Sequence, residues 1–344
     1  MNILAFDLGG TKVLLGIYEV NKSKNVTKLL KKEKYLSKEW NSFYLILEDF
    51  LYKKCDNFKP PNTACLGVAG PVKNQTAQIT NLNWEINEEK ITHKFNLENV
   101  ELVNDFAVLI YGIPFLGTNQ FKVLQDGNVL INNNKYLHTI IGAGTGLGIS
   151  RGLINDENIE VLSSEGGHME FAPKTNTEWE IKEWIKKNLH IQRVSSERVI
   201  SGEGLSNIAR WRFDKDDVLY HPFKKLLNSK NSYDFKKQLA SKICEKANEG
   251  DPIMLEIEKI WLDCYSSFIG DVALHELCYG GLWIAGGTAP KHSDNFCSDS
   301  FLKQFLNKGR LKDIVSSIPV KVILDEDFGL YSAACRAQML LKET

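Results

Sequence analysis

The chain has 344 residues, and its 42 Lys and Arg against 43 Asp and Glu give a formal net charge of −1. At about 150 residues per domain, this length predicts two domains with cores that need neither metals nor disulfides. Because there is no basic excess, we expect no nucleic-acid partner. No apolar run approaches the roughly 18 residues of a membrane-spanning helix, and Asp7 interrupts the first apolar stretch, so we expect neither a membrane span nor an export signal.

The seven cysteines are spread along the chain, and no two of them form a Cys-x-x-Cys pair. An odd number of cysteines with this spacing predicts neither a disulfide framework nor a structural zinc site. We therefore expect reduced thiols and a cytoplasmic protein.

Short β-prone runs alternate with helical spacing along the chain, which favours an α/β fold. The predicted strands are Asn2–Phe6, Val13–Val20, Val26–Tyr35, Ala64–Ala69, Val100–Val103, Tyr136–Ile141, Ile149–Ile154, Leu282–Ala285 and Val320–Leu324. The predicted helices are Asn41–Cys55, Phe106–Tyr111, Ser232–Asn248, Pro252–Cys278 and Leu330–Leu341. Two hairpin-like units with Gly-rich turns start about 135 residues apart, at Asp7 and Gly142, which indicates a weak internal repeat.

The first of these turns, Asp7-Leu8-Gly9-Gly10-Thr11, has the composition of a phosphate-binding loop. Gly9 and Gly10 let the backbone approach an anion closely with inward N–H groups, and Thr11 adds a hydroxyl. Asp7 offers the oxygen ligand that Mg²⁺ prefers and would hold the ion through water. An ordinary hairpin turn with a capping aspartate accounts for the same residues equally well.

The second turn, Gly142–Gly148, carries four glycines in seven residues, which is excessive for a simple turn. A glycine costs roughly 0.5–1 kcal/mol relative to alanine inside a regular element, so four together indicate close backbone approach. A dinucleotide fingerprint would need glycine where Leu147 or Ile149 stands, and a Walker A loop would need a Gly-Lys-Ser/Thr that the chain lacks. We expect the two turns to clamp a polyphosphate from both sides.

Three further motifs place polar or Gly-rich residues next to predicted strands. Asn104-Asp105 ends a strand where ligands often bind, and Asp105 suits a general base, although an N-cap for the next helix is the simpler interpretation. Glu165-Gly166-Gly167-His168 and Glu197 offer carboxylates and an imidazole, which suit sugar hydroxyls. The strand that runs into Gly286-Gly287 is equally typical of an ordinary strand-to-helix turn.

Taken together and in this order, the motifs resemble the bacterial-type glucokinases of the actin-like sugar kinase superfamily. The resemblance covers nearly the whole chain in eight segments: DLGGT at 7–11, GVAGPV at 67–72, TNLNW at 80–84, VNDF at 103–106, GAGTGLG at 142–148, SEGGHMEFAP at 164–173, SERVISGEGL at 196–205 and IAGGTAP at 284–290. It implies an actin-like ATPase (ribonuclease H-like) fold, in which two α/β domains flank a catalytic cleft. The small α/β domain would comprise 1–114 plus 326–344, and the large α/β domain 115–325.

The resemblance implies a glucokinase that transfers the γ-phosphoryl of Mg·ATP to O6 of D-glucose, with Asp105 as the general base. The other sugar hydroxyls would be held by Asn104, Glu165, His168 and Glu197. The phosphates and Mg²⁺ would be held by Asp7, Gly9, Gly10, Thr11, Gly144, Thr145 and Gly146. Gly286 and Gly287 would lie under the adenosine. Relatives are commonly homodimers, so a homodimer is implied.

Two alternatives on the same fold stay open, namely a kinase of mannose, fructose or an N-acetylhexosamine, and a non-catalytic sugar sensor. The sensor is disfavoured because Asp7, Asp105 and Thr145 are all present. ROK-type sugar kinases follow their Glu-x-Gly-His with a Cys-rich zinc loop, whereas no cysteine follows His168 before Cys244, so we expect no zinc. A sugar-responsive transcription factor is disfavoured because no helix-turn-helix precedes the first strand, and a Rossmann dehydrogenase because its fingerprint is missing.

Overall fold

The computed structural model describes residues 1–21, 27–79, 82–128, 136–155, 158–218, 220–227 and 238–343. Its strands are β1 (Asn2–Leu8), β2 (Lys12–Val20), β3 (Thr27–Leu36), β4 (Thr63–Val68), β5 (Val72–Lys73), β6 (Thr76–Ile79), β7 (Trp84–Asn87), β8 (Asn99–Asn104), β9 (Phe121–Gln125), β10 (Tyr136–Ala143), β11 (Leu147–Ile154), β12 (Ile159–Ser164), β13 (Gly281–Ala285) and β14 (Val320–Ile323). Parts of three predictions lie outside the described residues. These parts are Val26 of the third predicted strand, Thr80 and Asn81 of the TNLNW motif, and 232–237 of the predicted helix Ser232–Asn248.

The α-helices vary from single turns to one helix of 25 residues. They are Phe43–Asp49, Glu88–Phe95, Leu109–Gly112, Asn176–Leu189, Glu197–Ile200, Gly202–Phe213, Pro222–Leu227, Leu239–Asn248, Pro252–Glu276, Ser293–Phe296, Asp299–Phe305, Lys312–Ser316 and Phe328–Glu343. Among the described residues, we find no helix with the length and apolar character needed to cross a bilayer.

Two mixed sheets share one strand order. The small sheet runs β3-β2-β1-β4-β8, and the large sheet runs β12-β11-β10-β13-β14 with β9 added at its end. Three strands of each sheet form an antiparallel meander, β1-β2-β3 in the small sheet and β10-β11-β12 in the large one. Two further strands then add in parallel beside β1 or β10, namely β4 and β8 in the small sheet and β13 and β14 in the large one. The predicted internal repeat is therefore confirmed, because each Gly-rich hairpin begins an equivalent five-strand unit.

This topology brings the predicted motifs to two sheet edges. Because β1, β4 and β8 are parallel, Asp7 and Asp105 come to the same edge of the small sheet. In the large sheet β10 and β13 are parallel, so Gly144 and Gly286 follow adjacent strand ends. Residues far apart in the chain therefore meet at the carboxyl ends of parallel strands.

Three apolar cores support these sheets. One lies under the small sheet and another among the helices of the large sheet. The third joins both sheets, because it contains Ala5 of β1, Ile140 of β10 and Trp283 of β13. Phe328 and Leu330 of the C-terminal helix complete it, and that helix packs on β1 and β4.

The structure contains the nine predicted strands, with ends shifted by a few residues. β1 extends to Leu8, so Asp7 lies inside the strand opposite Leu14 rather than in the turn. The predicted helix Asn41–Cys55 is regular only over Phe43–Asp49 and becomes π-helical over Phe50–Lys54. The three-stranded sheet β5-β6-β7 was not predicted, because its strands have only two to four residues and carry too short a hydrophobic pattern to detect.

The predicted helix Phe106–Tyr111 is wrong at its start, since the α-helix covers only Leu109–Gly112. Asn104 Oδ1 accepts hydrogen bonds from the N–H groups of Phe106 and Ala107, at 3.0 and 3.1 Å. These bonds form a side-chain-capped turn, because Asn competes with the helix for local N–H donors. The interpretation of this motif as an N-cap for the next helix is therefore wrong, because that helix has Val108 at its N-cap without a side-chain bond, and Asp105 lies in a turn at the sheet edge.

Candidate active site

Asp105 is held firmly at the end of β8. Its N–H donates to the carbonyl oxygen of Val68 at 2.9 Å. Its Oδ1 accepts from the N–H of Phe106 at 3.0 Å and from Asn104 Nδ2 at 3.1 Å, and the same Asn104 amide donates to Gly70. Both of these bonds engage Oδ1, so the orientation of the carboxyl group is fixed through one of its two oxygens.

The pKa of Asp105 is raised to about 6. Burial is the largest cause, and the nearby Asp7 carboxylate raises it further, while the bonds from Phe106 and Asn104 oppose the shift. A carboxylate with a pKa near the working pH suits a general base, because it is ionised at pH 7 yet still attracts a proton.

Asp7 lies at the same edge, against the start of the C-terminal helix Phe328–Glu343. A Cβ built on Gly329 would lie only 3.1 Å from Oδ2 of Asp7, so a side chain at this position would crowd the Asp7 carboxylate. Burial raises the pKa of Asp7, Lys12 opposes that rise, and Asp327 adds to it. Burial and the neighbouring carboxylate therefore outweigh Lys12 in setting the pKa of Asp7.

The first hairpin turn uses part of its backbone internally. The N–H of Gly9 donates to the carbonyl of Lys12 at 3.0 Å, and the carbonyl of Thr11 accepts from Ser37. Gly10 is half-buried and Thr11 is exposed. The N–H of Gly9 is therefore committed to the turn, which leaves Gly10 and Thr11 as the better candidates for contact with an anion.

The second hairpin turn is tied to the helix that follows Glu197. The N–H of Gly144 donates to Gly146 at 2.8 Å, and its carbonyl accepts from Gly202 at 2.9 Å. Thr145 is exposed, and a Cβ at Gly144 would meet nothing within 4 Å. The tip of this turn is thus open on one side and anchored on the other.

Two of the four glycines in this loop have a structural reason that the sequence did not reveal. A Cβ on Gly148 would lie 2.1–2.3 Å from ring atoms of Phe106, and one on Gly142 would lie 2.9 Å from the same ring and 2.4 Å from the carbonyl of Ala285. These glycines make room for Phe106, the residue after Asp105. Phe106 therefore packs the end of β8, at the edge of the small sheet, against the second hairpin.

Glu165, His168 and Glu197 form one cluster on the large sheet. His168 Nε2 lies 3.8 Å from Glu165 Oε2, and Nδ1 lies 3.9 Å from Glu197 Oε1. The other oxygen of Glu197 accepts the N–H of Leu147 at 3.0 Å, and a Cβ on Gly146 would lie 2.6 Å from it. Glu197 therefore connects this cluster directly to the second hairpin.

Gly286 and Gly287 extend this surface beyond the end of β13. Gly286 has φ +86°, and a Cβ there would approach the carbonyl of Ala143 to 3.2 Å. A Cβ on Gly287 would meet open space. Thr288 donates to the same Ala143 carbonyl at 2.7 Å, so the two Gly-rich loops form one continuous surface.

Sequence analysis missed two contributors to the site, Phe106 and Gly329. Phe106 stands in the quoted VNDF segment, but its role depends on glycines more than 30 residues away. Gly329 stands in an Asp-Phe-Gly run at the start of the last helix, and this Gly was the available signal. Neither role is local, so neither produces a hydrophobic period or a spacing rule.

Comparison with known proteins gives a consistent result across sequence and structure. The family model described as Glucokinase matches residues 4–340. The chain belongs to the glucokinase family. A glucokinase from Nostoc sp. is 34% identical over 346 residues, which cover 98% of this chain and 99% of that protein. Family membership confirms the predicted activity class, an ATP-dependent glucose kinase.

Solved structures agree with the predicted actin-like fold. A glucokinase from an Antarctic psychrotroph is 26% identical with a TM-score of 0.79, and the match covers 98% of this chain and 99% of that one. A ROK family glucokinase from Streptomyces griseus, solved with glucose and AMPPNP, is 19% identical with a TM-score of 0.64, covering 98% and 100%. The second likeness is a likeness of fold alone.

Proposed function

We propose that the protein transfers the γ-phosphoryl group of Mg·ATP to O6 of D-glucose, with Asp105 as the general base. The observation that carries this proposal is the buried Asp105 carboxylate, fixed through one oxygen and with its pKa raised to about 6. A sugar hydroxyl is a weak nucleophile, so a positioned carboxylate that accepts its proton as the P–O bond forms assists the reaction.

The sugar would bind between Asn104 and the Glu165–His168–Glu197 cluster. Carboxylates accept hydrogen bonds from ring hydroxyls, while amide and imidazole groups can donate to them. The set can therefore distinguish sugars by the positions and orientations of their hydroxyl groups. Glu197 is a link between both substrates, because its second oxygen bonds the backbone of the phosphate loop at Leu147. Several directional contacts would let the site select a sugar over water.

The phosphates would lie between Gly10 and Thr11 on one side and Gly144, Thr145 and Gly146 on the other, with the adenosine on Gly286-Gly287. The donor set fits Mg²⁺, because hard cations prefer carboxylate oxygens and Asp7 lies close enough to Asp105 for its charge to raise the pKa of Asp105. Mg²⁺, held by Asp7 through water, would supply charge neutralisation for the phosphate oxygens.

The proposed domain division is 1–114 plus 326–344 for the small domain and 115–325 for the large one. The third core, which joins both sheets, would act as the hinge between them. Closure around both substrates would exclude water and so suppress ATP hydrolysis.

We further propose a cytoplasmic homodimer, because the reaction consumes ATP and relatives of this kind commonly pair. Size-exclusion chromatography with light scattering measures the molar mass of the protein in solution and so tests the homodimer.

The deciding experiment is ADP release from Mg·ATP with glucose, mannose, fructose, N-acetylglucosamine, N-acetylmannosamine or no sugar. Glucose should give the highest kcat/KM, and the no-sugar rate should be low. Faster turnover of another hexose would keep the mechanism but overturn the sugar assignment. Glucose binding without turnover of any sugar would instead favour the sensor.

Glu165→Gln should raise the KM for glucose with a smaller effect on kcat. The amide replaces one acceptor oxygen by a donor, so a hydroxyl that donates to Glu165 loses its partner. Glu180→Gln, an exposed change on the neighbouring helix, is the matched control. Steady-state kinetics checks both variants, and an unchanged KM for Glu165→Gln would remove this residue from the sugar site.

In a plot of kcat/KM for glucose against pH, the decline on the acid side should begin near pH 6. As pH falls through about 6, Asp105 takes up a proton and can no longer act as a base, so kcat/KM for glucose should fall about tenfold per pH unit. The profile is measured from pH 4.5 to 8 with saturating ATP and excess magnesium. Constant kcat/KM down to pH 5 would contradict the assignment of Asp105.

A further inference from the structure

A thiol, an imidazole and a carboxylate form a compact cluster beside the nucleotide loops, with one donor atom of each within 4.8 Å of the others. His292 Nε2 lies 3.6 Å from the sulfur of Cys244, and His292 Nδ1 lies 3.2 Å from Oε1 of Glu258. His292 and Glu258 are buried, whereas Cys244 is half-buried. The imidazole thus has a different partner on each ring nitrogen.

Three separate elements hold this cluster in place. Cys244 lies on the helix Leu239–Asn248 and Glu258 on the helix Pro252–Glu276, while His292 follows the Gly286-Gly287 turn. The N–H of His292 donates to the carbonyl of Thr288 at 3.1 Å, and its ring packs on Trp261 with centroids 5.2 Å apart. The imidazole is therefore oriented by contacts outside the cluster.

The surroundings favour a protonated imidazole. Burial by itself lowers the pKa of His292, but the contacts with Cys244 and Glu258 outweigh it and raise that pKa to about 9. A buried glutamate behind an imidazole stabilises the imidazolium that forms when the imidazole takes a proton from a thiol. An activated nucleophile commonly has the same three parts: the nucleophile, a base that takes its proton and a third group that orients the base.

The cluster lies close to the loops assigned to the nucleotide. Ala240 precedes Cys244 by four residues, so both lie on one face of their helix. A Cβ built on Gly202 would lie 4.0 Å from the Ala240 Cβ, and Gly202 itself donates to the carbonyl of Gly144. On the other side, His292 shares a turn with Thr288, which bonds Ala143.

We propose that Cys244 is a peroxide-reactive thiol, activated by His292 and Glu258, whose oxidation hinders nucleotide binding. The first half of the proposal depends on the cluster alone, and the second half rests on the proposed function. The same three side chains also suit a divalent metal, because one donor atom of each lies within 4.8 Å of the others. The proposal follows the direct contact between His292 Nε2 and the Cys244 sulfur, and a chelator in the test below separates a free thiol from a metal ligand.

The chemical step balances without another reductant. With the thiol proton already on His292, the thiolate sulfur attacks one oxygen of hydrogen peroxide as the O–O bond breaks. The departing hydroxide takes the proton from the imidazolium and leaves as water. Sulfur is oxidised by two electrons to a sulfenic acid, and peroxide is reduced by the same two electrons.

The test compares two thiols of one molecule. Cys297 is exposed, whereas Cys55, Cys65, Cys264, Cys278 and Cys335 are buried. The full-length protein is treated with hydrogen peroxide and a sulfenic-acid trap, and the adducts are quantified by mass spectrometry with and without a chelator.

We expect Cys244 to react at least about tenfold faster than Cys297 at pH 7. The reason is the neighbouring imidazole, because His292 Nε2 lies 3.6 Å from the Cys244 sulfur, whereas Cys297 serves as the exposed reference thiol. Equal rates would overturn the proposal, as would labelling of Cys244 that appears only after the chelator is added, because that outcome identifies a metal site.

Variants separate activation from simple exposure. His292→Asn and Glu258→Gln should each slow the labelling of Cys244 about tenfold while the rate at Cys297 stays constant. Glu258→Gln keeps the shape of the side chain, and the Cys297 rate with the circular dichroism spectrum reports whether each variant is folded. Unchanged labelling of Cys244 in both folded variants would overturn the activation by this pair.

The link to the nucleotide has its own readout. Mg·ATP should slow the labelling of Cys244 and not that of Cys297, and Cys244→Ser should retain kinase activity after peroxide treatment that inactivates the wild type. Fast labelling without protection by Mg·ATP would overturn the link. A wild type that labels quickly yet phosphorylates no sugar would contradict the proposed function and leave the reactive thiol standing.

Discussion

Replacing Asp105 with Asn should lower kcat by about 10²–10⁴, the usual span for removal of a general base. The amide oxygen can accept the same bonds from Phe106 and Asn104 that Oδ1 accepts now, so the turn should keep its shape. The amide cannot take the hydroxyl proton. Glucose affinity, measured by tryptophan fluorescence, should therefore change much less than kcat.

The same substitution should stabilise the fold at neutral pH. Because the folded-state pKa of about 6 exceeds the ordinary value near 3.9, ionised Asp105 costs about 2–3 kcal/mol at pH 7. That cost disappears as pH falls through 6 toward 4, since the folded state then binds the proton. The Tm of Asp105→Asn should exceed the wild-type Tm by a few degrees at pH 7 and match it near pH 4.

A control distinguishes these effects from a general change of charge. Asp56→Asn removes a carboxylate from an exposed turn and should alter neither kcat nor the pH dependence of Tm. Near-wild-type turnover by Asp105→Asn would contradict the base assignment. Loss of activity together with a lower Tm would point to a structural role instead.

Gly148→Ala should destabilise the protein by about 1–3 kcal/mol, because its Cβ would overlap the ring of Phe106. Gly142 lies against the tip of the same ring, so the ring cannot move in that direction. Phe106 must then shift and move Asp105, its neighbour in the chain. We expect kcat/KM for glucose to fall about tenfold, since small misplacements of a catalytic group are costly.

A double-mutant cycle tests this overlap. Phe106→Ala removes the ring, so Gly148→Ala combined with Phe106→Ala should be less destabilised than the sum of the single changes by about 1 kcal/mol or more, measured by urea unfolding. Additive effects would show that the ring is not what Gly148 accommodates.

Gly144→Ala is the matched control within the same loop. A Cβ there meets nothing within 4 Å, so the free energy of unfolding should change by no more than about 0.5 kcal/mol. Its effect should appear in the KM for ATP, because the proposed phosphate site needs close backbone approach at this position. The two glycines are alike in sequence and differ in what lies against them.

The sequence by itself determined the family, the fold class and the main strands. Strand periodicity is local, so β1, β2, β10 and β11 could be predicted from alternation around the two Gly-rich turns. The order of the motifs along the chain carried the family resemblance, and that order needs no coordinates. The Asn104 motif was only partly readable, because its side chain bonds the N–H groups of a turn and not those of the helix predicted there.

Only the tertiary structure decided what these residues do to one another. The charge of Asp7 raises the pKa of Asp105 through space, from a strand nearly a hundred residues away. Gly148 serves Phe106, and His292 joins Cys244 to Glu258, because parallel strand ends and converging helices bring distant segments together. Burial, repulsion and packing depend on these distances, which no spacing along a single chain encodes directly.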